Sequence, residues 1–199
     1  MEHLVCTVVL RDASVHNFVG DIIGVDYGAL VCAQHKKPMT LAIGDFDSIS
    51  KEDLPLIEKS SDKVIQLPAK KDVSDFEAAL EHCDQYETII VLGALGGRFD
   101  HQYSLMSHLK RDKRLVFLDE FNKIYTLESG HHIIKKEGYR YLSLFALTKS
   151  LVSIDGVKYP LNNQTLDITD TFTLSNEIKD EKAIISIESG HLLIIQSND

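Results

Sequence analysis

Two aspartates stand one residue apart in AIGDFDSIS, residues 42–50, directly after an apolar run. Strand interiors are poor in Asp, and an ionised carboxylate is costly to bury unpaired. Asp45 and Asp47 therefore suggest either a helix cap or a bound cation. Other apolar runs end in similar chemistry. Asp26-Tyr27-Gly28 follows IIGV, and Lys71, Asp72, Ser74 and Asp75 follow VIQLPAK. Gly93, Gly96, Gly97, Arg98, Asp100 and His101 follow IIVL. In open α/β sheets ligands bind beyond the carboxyl ends of the strands, so these residues should gather at one rim. Mg²⁺ with a phosphate substrate fits them, because Mg²⁺ takes hard oxygen ligands and crowded carboxylates need a cation to stay ionised. The glycines of GALGGR (93–98) allow close approach of backbone to an anion, and Arg98 can grip phosphate bidentately. A helix starting near Arg98–Asp100 would add its N-terminal N–H groups. GALGGR is not a Walker A loop, since no GK[ST] follows. Structural readings exist for each piece. Asp47 or Ser48 could cap the next helix, and Ser50 with Asp53 resembles a capping box. Asp72 and Asp75 could be an N-cap and a first-turn acid, and His101 a capping or core histidine. None of these accounts for four strand ends being polar in the same way.

The elements that would hold these residues fall into two groups. Over residues 1–122, β-rich runs (LVCTVVL, DIIGVD, MTLAIGD, KVIQLP, TIIVLGAL, RLVFLDE) alternate with helical spacing. DFEAALEHC places Phe76, Ala79, Leu80 and Cys83 on one face, and HQYSLMSHL does the same with Leu105, Met106 and Leu109. Continuous apolar strands alternating with helices predict a Rossmann-like α/β domain with a mostly parallel sheet. Over residues 123–199 only strand-like runs occur: IYTL, HHIIKK, RYLSLFAL, LVSI, QTLDI, TFTL, AIISIE and HLLIIQ. Turn signals such as ESG, KEG, DG, NN and a second ESG separate them, which predicts a C-terminal antiparallel β-sandwich.

Bulk properties narrow the function classes. A chain of 199 residues with 44% hydrophobic and 26% charged content is ordinary for a soluble globular protein with a real core. No apolar run approaches the ~20 residues of a membrane span. The start MEHLVCTVVLRD lacks a basic region and a small-residue cleavage site, so no signal peptide is expected and the location should be cytoplasmic. A net charge of −9 argues against nucleic acid, yet permits a nucleotide whose phosphates carry Mg²⁺, and favours a cationic small molecule. Cys6, Cys32 and Cys83 are far apart with no CxxC, which reads as free buried thiols.

GDFDSI (44–49), KDVSDFEAAL (71–80) and GALGGRFDH (93–101) resemble, in order and spacing, the three signature blocks of thiamine pyrophosphokinases. DGVKYPL (155–161) followed by TLSNE (173–177) resembles that family's thiamine-binding β-sandwich region. The resemblance covers nearly the whole chain. It implies transfer of a pyrophosphoryl group from ATP to the hydroxyl of thiamine with Mg²⁺, giving thiamine diphosphate and AMP. It also implies a homodimer with active sites between one subunit's α/β domain and the other's sandwich. By position it places Asp26, Asp45, Asp47 and Asp75 around the metal and phosphates, with Lys71, Asp72 and Ser74 lining the same site. His101 belongs with this nucleotide site, Arg98 would grip phosphate, and Asp100 would lie near the transferred group as first choice of proton acceptor, with Asp75 second. Tyr159 would form an aromatic wall for thiamine, and Ser175 and Asn176 would reach the aminopyrimidine edge. The chain departs from the family in three places. It reads LRDAS (10–14) where a glycine pair often follows the first strand, Asp26-Tyr27-Gly28 for the usual Asp-Gly-Gly, and Leu105 where an Asn is frequent. Rival readings are a pterin-alcohol pyrophosphokinase, a sugar-nucleotide transferase using DFD as a DxD motif, a HAD-type phosphatase, and a thiamine or nucleotide sensor without turnover.

Overall fold

A computed structural model describes residues 4–11 and 18–199. Of the LRDAS stretch, residues 12–14 lie outside the described residues, as do residues 1–3 of the chain start. The chain divides into two compact units. The first holds residues up to Leu105 with Arg114–Glu120, and the second holds Met106–Lys113 with Phe121–Asp199.

The first unit carries six strands in chain order: β1 (Val5–Val9), β2 (Asp21–Val25), β3 (Leu41–Gly44), β4 (Val64–Gln66), β5 (Thr88–Leu92) and β6 (Leu115–Leu118). They pair in the order β6-β5-β1-β2-β3-β4, and every pairing is parallel. The apolar runs are the reason: a parallel strand is buried on both faces, and all four residues of LAIG and four of five in VCTVV are buried. Helices α1 (Tyr27–Gln34), α2 (Leu54–Lys59), α3 (Asp75–Leu80) and α4 (Phe99–Leu109) follow strand ends. Ala29, Leu30, Cys32 and Ala33 of α1 join Ile57 of α2, Ala42 of β3 and Phe46 in one core cluster. After β1 the chain builds outward through β2, β3 and β4. It then returns to set β5 on the other side of β1, so the order reverses between β1 and β5.

The second unit is the antiparallel sandwich: β7 (Asn122–Lys135), β8 (Tyr141–Ala146), β9 (Ser150–Asp155), β10 (Leu161–Leu166) and β11 (Lys182–Ser197). Here the strand count differs from expectation. IYTL and HHIIKK form one strand of 14 residues, and AIISIE and HLLIIQ one of 16. The two ESG stretches are not turns between strands. They lie opposite each other where β11 and β7 shift register between Ile187 and His191. A register shift of this kind bends a strand without ending it. Before the bend β11 pairs with β9, and after it with β8. TFTL, expected as a strand, is a turn. Asp167 N–H donates to Asp170 Oδ2 at 2.8 Å, and the Thr173 hydroxyl donates to the Leu144 carbonyl. Leu142, Leu144, Val152, Ile154, Ile185, Leu192 and Ile194 fill the interior. Among the described residues no helix is long and apolar enough to cross a membrane.

Candidate active site

The opening aspartate pair is built around a buried ring. Phe46 is 4% exposed and belongs to the core cluster under β3, so it acts as a peg between the two acids. Asp47 N–H donates to Asp45 Oδ1 at 3.2 Å, and Phe46 N–H donates to Asp26 Oδ1 at 3.1 Å. The ends of β2 and β3 are thereby tied together. Gly44 is required for this approach, because a Cβ there would lie 2.4 Å from Asp26 Oδ1. Neither Asp47 nor Ser48 caps a helix, since α2 starts only at Leu54. Ser50 and Asp53 do bond reciprocally, at 2.7 and 3.2 Å, in the turn before it.

Lys71 joins the third strand end to the first two. Its Nζ lies 3.0 Å from Asp45 Oδ2 and 3.0 Å from Asp75 Oδ1, and its side chain is only 12% exposed. Asp75 opens α3, whose N-cap is Ser74 rather than Asp72. The Ser74 hydroxyl accepts from Glu77 N–H at 3.1 Å while Glu77 Oε2 accepts from Ser74 N–H at 3.3 Å. This S-D-F-E capping box leaves the Asp75 carboxylate free to face Lys71. Asp72 is exposed.

Charge in this cluster is unbalanced. Burial pushes the Asp26 carboxyl above the ordinary value against the Phe46 hydrogen bond, and the fields of Asp75, Asp45 and Asp47 push it further. The Lys71 hydrogen bond holds Asp45 below it. Burial pulls the Lys71 ammonium down, but its bonds to Asp45 and Asp75 outweigh that and leave it raised. Asp75 Oδ1 is buried and, its ion pair apart, makes no hydrogen bond. Among the described residues no three carboxylates or histidines converge at ligating distance. The Lys71 ammonium stands between two of the acids instead. Hard oxygens in excess over the one ammonium suit a divalent cation such as Mg²⁺ better than any softer metal.

A cavity of about 430 Å³ opens beside the acids. Asp26, Ser74, Asp75, Asp100 and His101 line it, so the ends of β2, β4 and β5 share one rim, whereas Asp45 and Asp47 at the end of β3 do not line the cavity. Tyr27 and Leu105, two of the departures from the family pattern, line it as well. Arg98 does not. It is held in a fork with Asp100, Nε to Oδ1 at 3.1 Å and Nη2 to Oδ2 at 2.5 Å, with 71% of its side chain exposed. That fork holds the Asp100 carboxyl down to about 2. Arg11 does line the cavity, and the sequence reading passed over it. Its signal was faint: a lone basic residue after an apolar run.

In the sandwich unit Tyr159 is 61% exposed, with Lys158 Nζ 5.6 Å from its ring centre. Asn176 is 5% exposed and holds the backbone of Tyr159 from both sides: Oδ1 accepts from its N–H at 3.0 Å, and Nδ2 donates to its carbonyl at 2.8 Å. Ser175 is exposed at φ 56°, its N–H donating to Ser143 Oγ at 2.9 Å.

With this geometry in hand, known proteins add the following. The family model described as thiamin pyrophosphokinase, catalytic domain, matches residues 17–117. The one described as thiamin pyrophosphokinase, vitamin B1 binding domain, matches residues 130–192. A thiamine pyrophosphokinase of Bacillus subtilis (strain 168) is 31% identical over 186 residues, covering 89% of this chain and 87% of its own. The crystal structure of thiamine pyrophosphokinase from Bacillus subtilis superposes with TM-score 0.87 at 28% identity, covering 98% of this chain and 99% of that one. A thiamin pyrophosphokinase family protein from Enterococcus faecalis gives TM-score 0.86 at 28% identity, with coverage of 98% and 99%.

Proposed function

This chain belongs to the thiamin pyrophosphokinase family, and from that premise we propose how its residues carry out the reaction. The protein transfers the pyrophosphoryl group of ATP to the hydroxyl of thiamine, giving thiamine diphosphate and AMP. The thiamine oxygen bonds to the β-phosphorus, the bond from that phosphorus to the α,β-bridging oxygen breaks, and AMP departs with that oxygen. Such transfers depend mainly on positioning and charge neutralisation. The observation that carries this assignment is the pairing of Lys71 with Asp45 and Asp75, with Asp26 in the field of both acids, beside a cavity that Asp26 and Asp75 line. We assign Asp26, Asp45, Asp47 and Asp75 to hold Mg²⁺. When bound there, the ion would neutralise phosphate charge and orient the chain of phosphates. Lys71 bridges Asp45 and Asp75 and contributes a further positive charge. Ser74, Asp72 and His101 border the nucleotide, and Asp100 keeps its charge and orients Arg98. Both acids considered as proton acceptor, Asp100 first and Asp75 second, line the cavity, and each is paired with a cation, Arg98 and Lys71 respectively.

On the sandwich unit Tyr159 offers a face to a flat cationic ring, and Asn176 fixes the backbone that carries it. Ser175 is exposed beside Asn176 for the aminopyrimidine edge. Exposed Ile168, Phe172 and Leu174 near it in sequence support a homodimer in which the sandwich of one subunit completes the α/β site of the other. Three buried free thiols fit a reducing, cytoplasmic setting. The pterin-alcohol alternative is not favoured, since residues 130–192 match a vitamin B1 binding domain.

Incubation with thiamine, ATP and Mg²⁺ should yield AMP and thiamine diphosphate in equal amounts. ADP with thiamine monophosphate would make the protein a simple kinase instead. Tyr159→Ala should raise KM for thiamine by about tenfold through loss of the ring contact. KM for ATP should stay near wild type in steady-state kinetics, and an equal rise in both would remove Tyr159 from the thiamine site.

A further inference from the structure

Two arginines lie near the nucleotide cavity, and they are placed very differently. Arg98 is exposed and committed to Asp100. Arg11 is partly buried, lines the cavity, and among the described residues makes one side-chain hydrogen bond and no ion pair. That bond runs from Nε to the Gly93 carbonyl at 2.6 Å.

Its place in the sheet is specific. Arg11 follows β1 and Gly93 follows β5, the two strands between which the order reverses. Leu10 N–H donates to the Leu92 carbonyl at 3.0 Å, so the ladder runs to the last residue before the crevice opens. The next bond across the gap is the one that Arg11 makes with its side chain. Ligands of open α/β sheets bind at this reversal.

The glycine loop is shaped around the guanidinium. A Cβ on Gly97 would lie 2.0 Å from Arg11 Nη1, and one on Gly93 would lie 2.9 Å from Arg11 Cγ. The loop thus leaves room for a planar cation and fixes it by a carbonyl. Asp26, Asp75 and Asp100 line the same cavity, yet none of them pairs with it. A guanidinium held by Nε keeps its two terminal nitrogens free, the fork that suits phosphate oxygens.

We propose that Arg11 is the residue that grips the polyphosphate of the nucleotide in this chain, the task the motif pattern assigns to Arg98. This rests on the reaction proposed above. Lys71 then faces the acids while Arg11 faces the phosphates at the opposite edge of β1.

The test is Arg11→Gln, with Arg11→Lys beside it. Binding of an ATP analogue with a methylene α,β-bridge, and of adenosine, is measured by calorimetry for each protein. KM for ATP and for thiamine is measured in parallel. Arg11→Gln should weaken the analogue and raise KM for ATP by about 10- to 100-fold, the scale of charge-assisted phosphate bonds. Adenosine binding and KM for thiamine should stay within about twofold, since neither touches this cation. Arg11→Lys, which keeps charge but not the fork, should fall between; it carries the test alone should the Gln variant not fold. Unchanged analogue affinity would overturn the proposal. So would an equal loss for adenosine, which would make Arg11 only a prop for the loop. Absence of AMP and thiamine diphosphate from wild type would sink the reaction instead, and the comparison of analogue with adenosine would still judge Arg11.

Discussion

Asp75→Asn is expected to stay folded while turnover falls by about 10²- to 10⁴-fold, the range for loss of a charge that holds a metal and its phosphates. Asp75 is the first residue of α3, and the helix does not need its charge to start. Ser74 and Glu77 provide the cap from both sides. Asn is nearly isosteric, so packing around buried Phe76 and Ala79 is kept. What disappears is one of the two carboxylates that meet Lys71 and one of the fields acting on Asp26. The Mg²⁺ concentration for half-maximal turnover should rise together with the loss in kcat. Circular dichroism checks the fold and a Mg²⁺ titration of product formation checks the rest. Activity within tenfold of wild type would show that Asp75 serves only the helix.

Asp26→Asn should have opposite effects on stability and activity. Burial and three neighbouring acids raise the Asp26 carboxyl in the folded state above its unfolded value. A group raised on folding contributes stability below its unfolded value, and that contribution is lost as pH rises through the folded value. At pH 7 ionised Asp26 is therefore a cost to the folded protein. Asn removes the charge, can still accept the Phe46 hydrogen bond through Oδ1, and differs little in shape from the Asp that already holds a positive φ of 51° at this position. In metal-free buffer at pH 7 the variant should melt about 2–4 °C above wild type. The difference should shrink as pH is lowered toward the ordinary carboxylate range, where wild-type Asp26 is itself neutral. Turnover should fall by at least about tenfold, because the charge that costs stability is the one proposed to hold the cation. A variant that melts below wild type at pH 7 would mean that the acid cluster is not under repulsion.

Much of this could be read from the residues before any coordinates. Asp45 and Asp47 stood out because acids after an apolar run conflict with a strand, and the conflict marked the site. The parallel strands were legible because burial on both faces makes them continuously apolar. The same rule hid α1. Gly28 to Ala33 are all buried, so YGALVCAQ has no polar face and no period to detect. The sandwich was legible as a class but not in its strand count. ESG reads as a turn, and only pairing across β7 and β11 shows that it bends strands that continue. Lys71 was placed among the acids by pattern, yet its bridging of Asp45 and Asp75 depends on two loops meeting in space. Arg11 had no motif at all.

The distribution of thiols turns this chain into its own reporter of local opening. Cys6, Cys32 and Cys83 are each 0% exposed, and all three belong to the α/β unit, with none in the sandwich. Burial also keeps the Cys32 thiol protonated by pushing it up to about 12, so neither access nor reactive thiolate exists in the closed state. A thiol-labelling reagent added to the native protein would therefore modify it only when the nucleotide-binding half unfolds. Labelling rates would give the opening free energy of that half alone, while far-ultraviolet signals would average over both. Nucleotide should slow labelling by a factor of one plus the ratio of its free concentration to its Kd, since only the unoccupied fraction opens.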